Sequence, residues 1–143
     1  MKLNLASGFK KLEGFVNIDI NPSCNPDRIL NLLRTPWPFQ RDSVEEFNCT
    51  HWLEHIGEEF IQIMKEIHRV GTNGARVYIE VPHWQSIGAF QDPTHKRFFT
   101  ESTFKYFDEW KYLYNLPHFK TKEIKVMEGN DGKYICFELE VVK

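Results

Sequence analysis

The stretch LNLASGFKKLEGFVNIDINP, residues 3–22, decides how the rest of the chain reads. A short apolar run, Leu3 to Ala6, stops at Ser7-Gly8. A second run, Phe15 to Ile20, carries Asp19 near its end and closes on Asn21-Pro22. Short apolar runs bounded by turn residues are the pattern of buried strands. Only about eight residues join them, where a parallel crossover normally takes a dozen or more. Eight extended residues still reach roughly 27 Å, about twice the length of a four-residue strand, so a bare crossover is feasible. The chemistry of the two ends matters as well. Small residues after one strand let backbone N–H groups approach a ligand, and a carboxylate at the next strand's tip can accept two hydrogen bonds from a ribose diol.

Further along, Arg28 to Leu33 reads as a third strand, closed by Thr35-Pro36-Trp37-Pro38, where the prolines forbid regular structure. Val44 to Thr50 reads as a fourth. Ile56, Phe60, Ile63, Met64 and Ile67 recur at helical spacing, with Gly71 and Gly74 bracketing the stop of that helix. Ala75 to Val81 alternates as a fifth strand up to Pro82. A polar and aromatic loop, HWQSIGAFQDPTHKRFF (83–99), follows, and Thr100-Glu101-Ser102 can cap a second helix running to about Tyr114, before Pro117. Two last strands, about 119–127 and 134–142, flank Gly129-Asn130-Asp131-Gly132, a hairpin signal. Strands alternating with helices predict an α/β sheet, mostly parallel with a C-terminal antiparallel hairpin and helices mainly on one face. A parallel sheet normally has both faces covered, so a second copy of the chain, a homodimer, or another partner is expected on the helix-poor face.

The 143 residues suffice for one domain, 1–143, with its own core, and the composition, 41% hydrophobic and 15% aromatic, is globular. Eighteen basic against twenty acidic residues leave a net charge of −2, which does not indicate a nucleic-acid partner. Cys24, Cys49 and Cys136 show no CxxC spacing and suit a reducing compartment. No stretch reads as a leader peptide or membrane span, so a cytoplasmic protein with no membrane partner is the expectation.

Ligands of open α/β sheets bind beyond the carboxyl ends of the strands. Read together, LNLASG, GFVNIDINP, DRILNLLRTPWPF, RDSVEEFNCTHWLEHI, MKEIHRVGTNGARVYIEVPH and DPTHKRFFTESTFKYF resemble a short class I S-adenosylmethionine-dependent methyltransferase over roughly residues 3 to 108. The resemblance implies a Rossmann-like sheet, S-adenosylmethionine as cofactor and methyl transfer to a small-molecule or biomolecular acceptor. By position it implies that Leu5, Ala6, Ser7 and Gly8 hold the methionine part and that Asp19 and Ile20 hold the ribose. Asn31, Leu32 and Leu33 would line the adenine, and Thr50, His51 and Trp52 would face the reacting methyl. Ala6-Ser7 stand where the family usually has Gly-Cys, which leaves Gly8 as the one glycine of that loop for positive-φ conformations. Asn31 stands where the family usually has an acid.

The loop 83–99 falls where the family binds its acceptor. There His83, Asp92 and His95 are candidate catalytic groups that bind or deprotonate an acceptor, Trp84 and Phe98 can wall it, and Arg97 can bind an anionic group on it. Each has a plainer reading. Asp19 can form a turn and Ser7-Gly8 merely a tight one, Asp92 and His95 can tie down the loop, and Arg97 can pair with a surface carboxylate. HWLEH, residues 51–55, matches a zinc-peptidase pattern, which requires His51 and His55 on one helix and a third ligand such as Glu123 or Glu128. With His51 at a strand tip, Glu54 and His55 read instead as a helix opening, and no metal ligand is assigned. A non-catalytic binding or structural subunit of the same fold is the principal alternative to an enzyme.

Overall fold

The computed structural model describes residues 1–143. Its centre is one seven-stranded sheet, β1 (Lys2–Leu5), β2 (Val16–Asp19), β3 (Arg28–Ile29), β4 (Val44–Thr50), β5 (Gly71–Pro82), β6 (Phe119–Gly129) and β7 (Gly132–Val141), in the order β3-β2-β1-β4-β5-β7-β6. The first five strands in that order run parallel, and β7 is antiparallel to both its neighbours. Strand order therefore reverses between β1 and β4, the place where sheets of this kind open a crevice at their carboxyl ends.

The short β1–β2 crossover exists because asparagines replace a covering helix. Asn4, Asn17 and Asn48 lie side by side across β2, β1 and β4. Asn48 Nδ2 donates to Asn4 Oδ1 at 2.8 Å, and Asn4 Nδ2 donates to Asn17 Oδ1 at 2.8 Å and to Lys10 O at 2.9 Å. Asn17 also accepts from Leu12 N and donates to Leu12 O and Phe15 O. The connecting segment is thus laced onto one sheet face by side chains that satisfy each other's buried polar groups. The ladder ends on Asp27, which accepts from Asn17 N at 2.8 Å and from Lys11 Nζ at 2.8 Å.

That last carboxylate makes the clamp sensitive to acid. Its hydrogen bond to Lys11, then those to Asn17, hold the Asp27 pKa down from 3.8 to about 2. The folded protein therefore takes up this proton at lower pH than the unfolded chain. The stabilisation is complete above the unfolded value of 3.8 and is lost as pH falls through about 2. The thermal midpoint of the natural protein should fall across that window, whereas Asp27→Asn should start lower at neutral pH and lack this part of the acid dependence. Parallel pH profiles of the two proteins would show no convergence if the clamp contributed nothing.

Helices are few, as expected. α1 (Phe60–Val70) buries Phe60, Ile63, Met64, Ile67 and Val70 against the sheet face formed by Phe47, Val77, Ile79, Phe137 and Leu139. It starts later than the periodicity predicts, because Leu53–His55 form a separate 3-10 turn and Ile56 is already extended. It ends at Val70, and Gly71 opens β5 directly instead of closing a longer helix turn. A Cβ at Gly71 would lie 2.9 Å from Ile67 O and 3.2 Å from Phe47 Cε2, so only glycine fits that helix-to-strand corner. β3 is two residues long, not six, since Leu30 to Leu33 turn away to form a wall described below. The second helix is replaced by turns around two single-turn helices, Lys105–Asp108 and Lys111–Tyr114, with Asn115 left-handed (φ +52°). The hairpin forms as read, with Gly129 paired to Gly132 around Asn130-Asp131.

The helix-poor face presents Glu46, Arg76, Tyr78, Glu80, Glu138 and Glu140 at alternate positions of β4, β5 and β7, with Lys122 of β6 beside them. Lys2 and Glu46 pair across it at 2.7 Å and Lys122 and Glu140 at 3.3 Å. No helix is long and apolar enough to cross a membrane.

Candidate functional site

At the carboxyl ends of β1 to β4 the strand tips enclose a cleft of about 270 Å³ lined by Ala6, Asp19, Ile20, Leu30, Asn31, Leu32, Leu33 and Trp52. All but Leu30 were expected there. Leu30, Leu32, Leu33, Ile20 and Trp52 supply apolar walls, and Asp19 and Asn31 the polar groups. The Asp19 carboxylate is fixed from both sides: Gly8 N donates to Oδ2 at 2.8 Å and Asn21 N to Oδ1 at 2.8 Å. Each oxygen keeps a further lone pair for a ligand hydroxyl. The tight turn after β1 and the acid at the tip of β2 are therefore one unit, the turn aiming the carboxylate.

Above that turn there is room. Gly8 is left-handed (φ +52°), and a Cβ built on it would meet no atom within 4 Å. Ala6 and His51 also take the left-handed region, at φ +51° and +53°. For non-glycine residues this costs roughly 1–2 kcal/mol each. The loop thus takes a positive-φ conformation at Ala6 as well as at Gly8, its one glycine. Two strained residues sit at the tips of the adjacent strands β1 and β4, on either side of the crevice.

Beyond β4 and β5 lies a second, polar cavity of about 620 Å³, whose walls include Lys10, His51, Glu54, Glu80, Asp92 and His95. His51 belongs to this cavity and its neighbour Trp52 to the apolar cleft, so the tip of β4 divides the two. His51 Nδ1 is 3.4 Å from Glu54 Oε1 and Nε2 is 3.0 Å from Glu80 Oε1. The contact with Glu54 first, then the charge of Glu80, pulls the His51 pKa up against its partial burial. His51 stands outside the 3-10 turn that holds His55, so the two do not share a helix face as the zinc-peptidase pattern requires.

The remaining expected residues are dispersed. Leu5 is fully buried in the core and Ser7 is buried with its N–H on Ile18 O. Thr50 bonds the Asn48 side chain. His83 is buried and lines neither space; Nδ1 accepts from Gln85 N and Nε2 contacts Glu101 at 3.1 Å, so it pins the loop. Trp84 is exposed, and Phe98 stacks on Phe90 at 4.4 Å. Arg97 turns to the α1 side, donating to Gly57 O and lying 4.2 Å from the Phe60 ring centre, away from the polar cavity. The reading missed Glu80, which the strand-tip rule should have found at the end of β5. It also missed Lys10 and the hairpin tip 129–134, which reach the cavity only through the sheet order.

By sequence, no family model and no curated protein matches the chain. By structure, a SAM-dependent methyltransferase from Methanosarcina mazei superposes with a TM-score of 0.72 at 17% identity, over 99% of this chain and 92% of the other. The fold is that of the class I S-adenosylmethionine-dependent methyltransferases. A 1,6-didemethyltoxoflavin-N1-methyltransferase from Burkholderia thailandensis, solved with bound 1,6-didemethyltoxoflavin and S-adenosylhomocysteine, gives a TM-score of 0.68 at 11% identity, over 99% of this chain and 71% of the other. The [4+2]-cyclase SpnF gives 0.72 at 9% identity, over 99% and 74%. The methyltransferase fold therefore also carries a named reaction other than methyl transfer, and chemistry has to be read from the site.

Proposed function

We propose that this protein is an S-adenosylmethionine-dependent methyltransferase. The observation that carries it is the Gly8–Asp19 unit: a carboxylate held by two backbone N–H groups at the rim of an apolar cleft, with open space above the glycine. These residues fit the cofactor. Asp19 would accept from the ribose diol, Ile20, Leu32, Leu33 and Trp52 would sandwich the base, and the open space above the Gly8 turn would receive the amino-acid end. The bound cofactor supplies an electrophilic methyl carbon, so the protein's own part is alignment and exclusion of water. The polar cavity beyond His51 would take a polar acceptor, with Asp92 and His95 on its wall.

A thermal-unfolding titration with S-adenosylhomocysteine tests the reading. Saturation at a hundred times the Kd should add about 2.7 kcal/mol of stability. Formation of S-adenosylhomocysteine from S-adenosylmethionine with an accepted substrate would then establish transfer. No shift at millimolar ligand would overturn the nucleoside site. A second reading, a nucleoside-binding subunit without transferase activity, is favoured by the cleft's size, about 270 Å³ against roughly 300–1,000 Å³ for typical ligand pockets. Binding without turnover on any acceptor would favour it.

A further inference from the structure

Two motifs that the cofactor site leaves unused, LEH at 53–55 and DPTH at 92–95, are fastened to each other. Glu54 O accepts from both Lys96 N at 2.8 Å and Arg97 N at 3.1 Å, which sets His95 beside His55 with ring centres 4.7 Å apart. Glu54, His55 and His95 each bring a ligand atom to within 4.8 Å of the others.

The hydrogen bonds around the cluster leave it ready for a cation. His95 Nδ1 lies 3.0 Å from Ala89 O, which can only accept, so that nitrogen carries the proton and Nε2 of the neutral ring is a free lone pair. His55 Nδ1 lies 2.8 Å from Thr94 Oγ1, whose single proton goes to Asp92 Oδ1 at 2.7 Å. Thr94 must therefore accept from His55, and His55 Nε2 is free as well. Imidazoles whose other nitrogen donates to a carbonyl or a hydrogen-bonded oxygen are held in the form that ligates metals. The third group is unsatisfied as it stands. The Glu54 side chain is 3% exposed, and its Oε2 is buried with no hydrogen-bond partner. A buried carboxylate oxygen left without a partner is costly, and a cation would compensate it.

We propose that Glu54, His55 and His95 bind one divalent first-row transition-metal ion, of the zinc class, at the wall of the polar cavity. Two imidazoles and one carboxylate are a donor set for zinc and its neighbours rather than for magnesium or calcium. Asp92 Oδ2, 3.7 Å from His95 Nε2, is placed as a fourth ligand or as a partner of a metal-bound water. All four residues line the cavity, so the ion faces open space and keeps positions free for an oxygen or nitrogen ligand, as catalytic sites do and closed structural sites do not. His95 then serves as a ligand and not as the proton acceptor considered above. The site differs from the zinc-peptidase pattern in the same motif, since His51 takes no part and the second histidine comes from the distant loop.

Equilibrium dialysis with zinc, and visible absorption of the cobalt-loaded protein, both without nucleoside, test this independently of the methyltransferase reading. One ion per chain is expected. Affinity should fall on the order of 100-fold or more in His55→Ala/His95→Ala and in Glu54→Gln, and should hold in His118→Ala, a histidine outside the cavity that contacts Asp108 at 3.5 Å. Circular dichroism and the unliganded melting profile show whether each variant is folded; Glu54→Gln keeps the shape of the side chain and serves if the double variant is not. Absence of stoichiometric metal in the natural protein, or metal retained undiminished by a folded variant, would overturn the site. S-adenosylhomocysteine binding that survives in a metal-free variant separates the two readings.

Discussion

Asp19→Ala should abolish the thermal shift that S-adenosylhomocysteine produces, while the unliganded protein remains folded. The carboxylate is asked to do two things. Within the protein it accepts from Gly8 N and Asn21 N, one bond part-buried and the other exposed. Toward a ribose it would accept two more, and hydrogen bonds to a charged group are worth about 1.5–3 kcal/mol each. Losing both would cost about 3 kcal/mol of binding or more, a rise in Kd of roughly 100-fold at least. Asp19→Asn separates the roles: it keeps one carbonyl acceptor for the turn but places a donor where a hydroxyl would also donate. Its melting temperature should stay near that of the natural protein while its affinity falls by at least tenfold. Calorimetric titration of both variants decides. Equal affinities in all three proteins would mean that Asp19 is only the staple of the Gly8 turn.

That double duty explains why the cleft was legible in the sequence and its neighbour only in part. The tips of β1, β2 and β4 are encoded locally, by short apolar runs that end on Ala6-Ser7-Gly8, Asp19 and Thr50-His51. Strand order then carries those tips together, and the seven lining residues expected from position arrive in one cleft. The acceptor side depends on contacts distant in the chain. Nothing near Arg97 announces that Gly57 O and the Phe60 ring will draw it to the other side of the loop. Nor does the text of DPTH reveal that Glu54 O will bind the backbone of Lys96 and Arg97. The helix over 100–114 failed for a related reason: Thr100 N donates to Thr103 Oγ1 at 2.9 Å and closes a turn, and the single helical turn that follows starts after Phe104 with no side-chain cap. The strand lengths of β3 and β5 were set by tertiary packing at Leu32 and Gly71, not by propensity.

One signal was available and went unread. Asparagine is disfavoured in strands, yet Asn4, Asn17 and Asn48 each sit mid-strand among apolar neighbours. Three such residues at matching depth, in strands whose connection is too short for a helix, specify a polar ladder in its place.

Glu66→Ala should be the most destabilising single change outside the hydrophobic core, and should reach the cleft as well. Glu66 is 3% exposed, and its Oε1 accepts from Trp37 N at 2.6 Å and from Arg69 Nη2 at 2.6 Å, with Oε2 accepting from Arg69 Nε at 2.9 Å. Arg69 Nη2 in turn donates to Trp37 O and Phe39 O, and Trp37 Nε1 donates to Leu32 O at 2.9 Å. An unbroken run of hydrogen bonds therefore leads from α1 through the proline-rich segment 35–39 to the residue that walls the apolar cleft. Truncation leaves a buried N–H unpaired and removes the counter-charge of a half-buried arginine, about 3 kcal/mol together and roughly 10 °C in melting temperature. Glu66→Gln preserves the acceptor for Trp37 N and should lose less than half as much. Arg69→Ala should cost no more when added to Glu66→Ala than a fraction of its effect alone, because the two side chains act as one unit. With Leu32 no longer held, nucleoside affinity should drop along with stability. A Glu66→Ala protein that is destabilised but binds S-adenosylhomocysteine as tightly as before would show that the cleft wall is held by the core alone.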